Sequence, residues 1–206
     1  MAWAPDYVTA TELAEYVRIA DDLDDAQLEL AVTAASRAID DATNRQFGQE
    51  DAPTPRYYTL RWHPNRRRWV ADVDDVQDTT VLAVRFDADE TGTYATDVTA
   101  WRLTPANAPA DGMPYTRLEV LDSPTTPLST VPDGLEVTAR WGWSAVPTAV
   151  RQACLLQASR LLARRESPFG IAGSPENDSE LRLLARVDPD VEVLLRPYIR
   201  WRVRTG

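Results

Sequence analysis

The chain has 206 residues, enough to bury a sizeable core as one large domain or two small ones. It carries 32 acidic against 22 basic residues, a net charge of −10, and every basic residue is arginine. That balance excludes a general nucleic-acid binder, whose affinity comes from neutralising phosphates, and suits a surface that a polyanion passes without sticking.

Thr9 and Glu12 match a capping box, and Leu13, Tyr16 and Val17 follow at helical spacing, so a short helix is predicted over 10–18. A stronger helix follows. Asp24 and Gln27 form a D-x-x-Q start, and Leu30, Ala31, Ala34, Ala35, Ala38, Ile39 and Ala42 keep one face apolar as far as Thr43. So many small residues on one face imply close helix-to-helix approach. Phe47, Gly48 and the stretch 53–55 (PTP) end the helical part.

From 56 to 140 the texture changes to short alternating runs, and strands are predicted over 57–62, 69–73, 80–86, 98–103, 117–121 and 135–141, separated by turns rich in Asp, Pro, Thr and Gly. In the last run Leu135, Val137, Ala139 and Trp141 alternate with Glu136, Thr138, Arg140 and Gly142, the period of a half-buried strand. Trp141, Gly142 and Trp143 then make a corner that serves packing and offers no acid, base or nucleophile. Pro147 opens a helix over 148–165, in which Val150, Ala153, Cys154, Ala158, Leu161 and Leu162 recur at helical spacing. Beyond it come a polar loop over 170–178, a helix over 179–187, and a helical turn from Asp188 and Pro189 to Leu195 that Pro197 interrupts. The order helices, strands, helices implies an α+β fold: a helical bundle formed by the N- and C-terminal segments, 1–55 and 142–206, with an inserted β-rich lobe over 56–141.

Material for catalysis is scarce. His63 has no second histidine to help it hold a metal, and Cys154 lies alone on an apolar helix face, where it reads as a small buried hydrophobe in a protein that folds under reducing conditions. No phosphate-cradling glycine loop, nucleophile elbow or zinc spacing is present, and paired acids such as Asp74 and Asp75 read as solvated faces. The expectation is a protein without enzymatic activity, cofactor or metal. The N-terminus lacks the features of a signal peptide and no apolar run approaches the ~20 residues that span a bilayer, so a soluble chain with no membrane partner is expected.

Two stretches suggest contact with something else. Trp62, Arg66, Arg67, Arg68 and Trp69 interleave arginine with aromatics, a pattern that suits single-stranded nucleic acid or an acidic protein surface, and equally an exposed hairpin tip. In the tail 199–204, Trp201 and Val203 alternate with Arg200, Arg202 and Arg204; this is either an unpaired strand seeking a partner's sheet edge or a helix folded on its own bundle.

Three pieces of the chain together resemble the head-to-tail connector, or adaptor, proteins of long-tailed, siphovirus-like bacteriophages. The first is the start 7–16 (YVTATELAEY) with Asp25, 34–40 (AASRAID) and 45–47 (RQF). The second is the junction 141–143 (WGW) with Val146 and Pro147; the third is 158–170 (ASRLLARRESPFG), with 188–191 (DPDV), Pro197 and Tyr198 beyond it. They cover both helical ends; the strand-rich insert matches in position and texture only.

The resemblance implies a structural virion protein, made in the host bacterial cytoplasm and ending in the neck between head and tail. It would assemble as a ring, commonly a dodecamer, under the portal protein, extend the channel through which double-stranded DNA passes without specific binding, and present a platform to a downstream neck or tail-completion protein. Carried onto this chain, the resemblance makes Leu30, Ala34, Ala35, Ala38, Leu161 and Leu162 candidates for helix packing and the subunit interface. It makes Arg196, Tyr198, Ile199, Trp201, Arg202 and Val203 candidates for portal docking, and Asp21, Asp22, Asp24, Asp25 and Glu29 candidates for the lumen or ring surface. Two rival readings stand beside it. One is a phage DNA-packaging accessory factor that binds nucleic acid through the tip at Arg66 to Arg68; the other is a Trp-rich carbohydrate-binding module, which requires several tryptophans exposed on one face.

Overall fold

The structure, a computed structural model, describes residues 3–18, 25–121, 128–166, 171–172, 181–182 and 188–201. The chain divides into two compact units, Met1–Phe47 with Val146–Gly206, and Gly48–Ala145. The strand-rich unit is therefore wider than the 56–141 insert that strand texture outlines. Its ends are tied in by backbone pairing, from the Glu50 N–H to the Trp141 carbonyl at 2.9 Å and from the Trp143 N–H to the Gly48 carbonyl at 2.7 Å.

In the first unit, helix α1 (Ala10–Val17) starts at a reciprocal cap. The Glu12 N–H donates to Thr9 Oγ1 at 3.2 Å and the Thr9 N–H donates to Glu12 Oε2 at 2.8 Å, so two otherwise orphaned donors are satisfied. Arg18 ends the helix in the left-handed region. Helix α2 (Asp25–Thr43) buries Leu28, Ala31, Val32, Ala35, Ser36, Ile39 and Thr43. This face differs from the expected stripe: Leu30 is 65% exposed and Ala34 is exposed, while Ala38 is half-buried. Alanine adds little transfer free energy whichever way it points, so the bulkier Leu28, Val32 and Ile39 decide which arc turns inward.

Helix α3 (Thr148–Glu166) begins at Pro147, whose carbonyl accepts from the Val150 and Arg151 N–H groups at 2.9 and 3.1 Å. It buries Val150, Ala153, Cys154 and Ala158 and packs against α1, α2 and α4, with Cys154 against Ser36 of α2. Helix α4 (Pro189–Leu195) is capped by the Asp188 carboxylate, which accepts the Asp190 N–H at 2.9 Å, and runs into a 3-10 turn, Arg196–Tyr198. The helix expected over 179–187 is contradicted at Leu181–Arg182, which pair antiparallel with Ile171–Ala172; the rest of that stretch lies outside the described residues. A nine-residue helix has too few turns to stand without tertiary support, and here strand pairing prevails.

The second unit is all β. Strands β1 (Thr54–Tyr58), β4 (Asp78–Phe86), β5 (Thr96–Asp97) and β8 (Leu135–Arg140) form an antiparallel sheet in the order β1-β8-β4-β5. Strands β2 (Arg61–His63), β3 (Arg68–Val76), β6 (Trp101–Thr104) and β7 (Tyr115–Val120) form another in the order β2-β3-β7-β6. One apolar core joins the two sheets: Val84, Phe86, Leu135, Val137 and Ala139 from the first meet Ala71, Val73, Val76, Leu118 and Val120 from the second. Strand β8 shows the predicted alternation, with Leu135, Val137 and Ala139 buried and Glu136, Thr138 and Arg140 half-exposed. The chain is thus a mixed α and β protein; among the described residues, one unit holds four α-helices and the other two four-stranded antiparallel sheets.

Candidate assembly interfaces

In the helical unit, segments from both ends of the chain meet at Phe47, which lies between Tyr7 and Tyr198. Tyr7 is itself held by hydrogen bonds. Its N–H donates to Ser36 Oγ at 3.1 Å, its hydroxyl donates to Asp40, and the same oxygen accepts the Phe47 N–H at 3.1 Å. Burial and then the hydrogen bond to Asp40 push the phenol far above its ordinary range, while burial raises the Asp40 carboxyl. The Phe47 ring stands edge-on to Tyr7 at 5.5 Å and to Tyr198 at 5.8 Å. The C-terminal segment is fastened to the end of α2: the Arg200 N–H donates to the Thr43 carbonyl at 2.8 Å, and Arg45 Nε donates to the Tyr198 carbonyl at 2.7 Å.

Of the portal-docking candidates, Tyr198 and Ile199 are half-buried and Arg196 is exposed. Trp201, one residue past the anchored Arg200, is 86% exposed, while Arg202 and Val203 lie outside the described residues. Within the chain Ile199, Arg200 and Trp201 form neither a helix nor a strand, and the Arg200 N–H donates to the last residue of α2. Among the packing candidates, Ala35 is fully buried, Ala38, Leu161 and Leu162 are half-buried, and Leu30 and Ala34 face outward. Asp25 and Glu29 are exposed on the first turns of α2; Asp21, Asp22 and Asp24 lie outside the described residues.

In the β unit, the tip singled out in the sequence has a different role from a bare basic hairpin. Trp62 pairs with Trp69 across β2 and β3, ring centroids 5.5 Å apart, and Trp69 packs against the core. The turn carries Arg67 with a positive φ of 50°, and it brings Arg66 back over the sheet. There Arg66 Nη1 lies 2.6 Å from Oε1 of Glu119, while Arg102 donates from Nη2 at 2.5 Å and Nε at 2.8 Å to Oε2, and Arg68 Nε stands 4.0 Å away. Glu119 is completely covered by this collar. Burial alone would raise its carboxyl, but the hydrogen bonds from Arg102 and Arg66 outweigh it, and the carboxyl sits below the ordinary glutamate range.

Sequence reasoning missed Glu119 and Arg102. The available signal was an acid at an alternating position between two apolar residues, Leu118 and Val120, but its partner Arg66 lies 53 residues away.

The corner at 141–143 holds the β unit to itself. Gly142 takes a φ of 103°, which a side chain would strain, and donates its N–H to the Asp75 carbonyl at 2.7 Å. Trp141 Nε1 donates to the Thr54 carbonyl at 2.8 Å with Arg56 stacked 4.7 Å from its ring. Cys154 is buried against Ser36 Oγ at 3.5 Å and burial pushes its thiol up to about 11, which keeps it protonated and inert. Among the described residues no group of three His, Cys, Asp or Glu side chains could hold a metal ion, and no helix is long and apolar enough to cross a membrane.

No protein-family model matches the chain, and no curated protein matches it in sequence. Its fold is nonetheless shared with solved structures over nearly its whole length. A chain in the neck of an empty gene transfer agent particle, computed with C6 symmetry, is 22% identical with a TM-score of 0.59, the match covering 100% of this chain and 96% of that one. A chain in the neck of the native particle, computed with C12 symmetry, is 24% identical with a TM-score of 0.50, covering 100% and 96%. A chain in the virion of the native gene transfer agent particle is likewise 24% identical with a TM-score of 0.50, covering 97% and 93%.

Proposed function

We propose that the chain is a structural protein of the neck of a phage-like particle, where copies form a ring under the portal, extend the DNA channel and give the tail its platform. The observation that carries this reading is the fold shared, end to end, with chains from neck assemblies solved under C6 and C12 symmetry. A twelve-membered ring is the stoichiometry we infer. In this reading the helical unit makes the body of the ring, with α2 and α3 supplying core and intersubunit surface. Acidic positions such as Asp25 and Glu29 give the ring a surface that DNA passes without adhering, since like charge opposes phosphate contact. Trp201, held out from an anchored backbone, has the exposure and ring size of a docking residue for the portal.

The rival readings draw less support. A carbohydrate module needs tryptophans exposed together, whereas Trp141 and Trp143 are 1% exposed and the exposed Trp62 and Trp201 belong to different units. A packaging factor that grips nucleic acid through the hairpin tip would need its arginines, and two of them are drawn to Glu119. The proposal is tested by mass photometry and negative-stain imaging of the purified protein, alone and mixed with the portal protein of the same genome. A ring, free or seated on the portal, is the expected outcome; a monomer indifferent to the portal would overturn the reading.

A further inference from the structure

Glu119 lies on the outer face of the β2-β3-β7-β6 sheet. Its neighbours Leu118 and Val120 enter the core, so the alternation of β7 turns the carboxylate the other way. The register sets Glu119 between Val70 of β3 and Arg102 of β6, and Arg68 precedes Val70 on the same face. Arg66 arrives from the hairpin turn. Three guanidinium groups thus stand round one carboxylate. The other arginines of this face are engaged elsewhere: Arg117 Nε lies 2.9 Å from Oδ1 of Asp72, and Arg61 already has a partner.

Three positive charges against one negative leave this spot positive by two. The donors are not used up either. Glu119 takes one nitrogen of Arg66 and two of Arg102, a fraction of what two guanidinium groups offer. Arg68, 4.0 Å from Oε2, makes no side-chain hydrogen bond among the described residues. The side chains stay partly open to solvent, 46% for Arg66, 32% for Arg68 and 57% for Arg102, so their remaining donors are within reach of a ligand. Glu119 meanwhile holds Arg66 and Arg102 in place, which lowers the ordering cost of using them.

We propose that Arg66, Arg68 and Arg102 form a receptor for an aspartate or glutamate side chain on an acidic segment of another protein. Arg68 supplies the open fork, which suits bidentate pairing with a carboxylate, and its two neighbours supply flanking donors. Nucleic acid fits less well. It is gripped through a row of phosphates, whereas the surplus here is confined to one spot on a chain whose net charge of −10 repels a long polyanion. A short acidic segment feels that field less, because salt screens it beyond about 8–10 Å. The inference rests on the collar alone and holds with or without the neck reading.

The test uses the full-length chain and a fluorescein-labelled hexaglutamate peptide, with binding followed by fluorescence anisotropy. Saturable binding that weakens with added salt is expected. Affinity should fall at least about fivefold in Arg68→Gln, and by less in Arg68→Lys, which keeps the charge but not the fork. It should stay at the wild-type value in Arg18→Gln, which removes an exposed arginine of the helical unit. Near-UV circular dichroism checks folding, and Arg68→Lys carries the comparison should Arg68→Gln unfold the β unit. Absence of saturable binding overturns the proposal. So does an equal loss in Arg18→Gln and Arg68→Gln, which would mean diffuse attraction to any arginine. A duplex DNA oligonucleotide bound more tightly than hexaglutamate and released by Arg68→Gln overturns it by assigning the face to phosphate, and self-association lost in Arg68→Gln does so by assigning it to a second copy. Rings on the portal without hexaglutamate binding would sink this surface alone, whereas hexaglutamate binding by a chain that never forms rings would sink the neck reading alone.

Discussion

The indole N–H of Trp143 donates to Oδ2 of Asp75 at 2.9 Å, with both side chains buried, and so joins the chain's exit from the β unit to the end of β3. Replacing Trp143 by Phe keeps most of the apolar volume but withdraws a donor from a buried carboxylate. The cost is expected to be about 1 kcal/mol, the scale of one hydrogen bond. Urea unfolding of the Trp143→Phe variant measures it, and a midpoint equal to wild type would remove the bond from the stability of this unit.

Tyr7 has the corresponding role in the helical unit. A Tyr7→Phe variant retains the edge contact with Phe47 but removes an acceptor of the Phe47 N–H and takes a donor from Asp40. Stability should drop by about 1–3 kcal/mol, because two hydrogen bonds that share the one hydroxyl are lost together. Amide hydrogen exchange at Phe47 should accelerate in the variant; unchanged protection there would contradict the assigned bond.

Neighbouring alanines on α2 give a paired test of which face is inside. Ala35 is fully buried, so Ala35→Leu must force side chains apart and should cost about 1–3 kcal/mol. Ala34 is exposed, and Ala34→Leu should change monomer stability by no more than about 0.5 kcal/mol. Chemical denaturation of the two variants side by side decides the matter, and equal effects would mean the helix is rotated from the orientation described.

Glu119 carries a pH signature. Its folded carboxyl lies below the ordinary glutamate value, so it binds a proton less readily in the folded state than in the unfolded one. Its stabilising contribution is therefore fully present above the ordinary glutamate range and is lost as pH falls through the lower folded value. Glu119→Gln should melt below wild type at neutral pH, and the gap should close on acidification. A gap that is constant from neutral to acidic pH would show that the collar does not hold a charged carboxylate.

What was legible in the sequence is what depends on near neighbours. The capping box at Thr9 and Glu12, the alternation from Leu135 to Ala139, and the helix opened by Pro147 each rest on residues a few positions apart, and each stands in the structure. The facing of α2 was misjudged because Leu30 and Ala34 repeat at the same spacing as Leu28 and Val32, and only packing against α3 tells the two arcs apart. The arginine collar was invisible for another reason. Arg66, Arg102 and Glu119 come from a turn and two strands, and no local pattern brings them to one point. Leu181–Arg182 shows the third kind of failure, in which a weak helical preference yields to antiparallel pairing with Ile171–Ala172, about ten positions back.

Trp201 separates stability from assembly. It is 86% exposed, so its ring contributes little to folding, and Trp201→Ala should leave the melting temperature of the isolated chain nearly unchanged. The backbone just before it is fixed by the Arg200 N–H on Thr43, which lowers the ordering cost of presenting that ring to a partner. Under the neck reading, truncating such an aromatic anchor should weaken binding to the portal protein by 2 kcal/mol or more, roughly thirtyfold, the scale of an interface hot spot. Biolayer interferometry against immobilised portal, with Arg196→Ala as a companion variant, gives the comparison. Portal affinity that survives Trp201→Ala would shift the docking surface away from the C-terminal segment, while loss of affinity without loss of stability would fix it there.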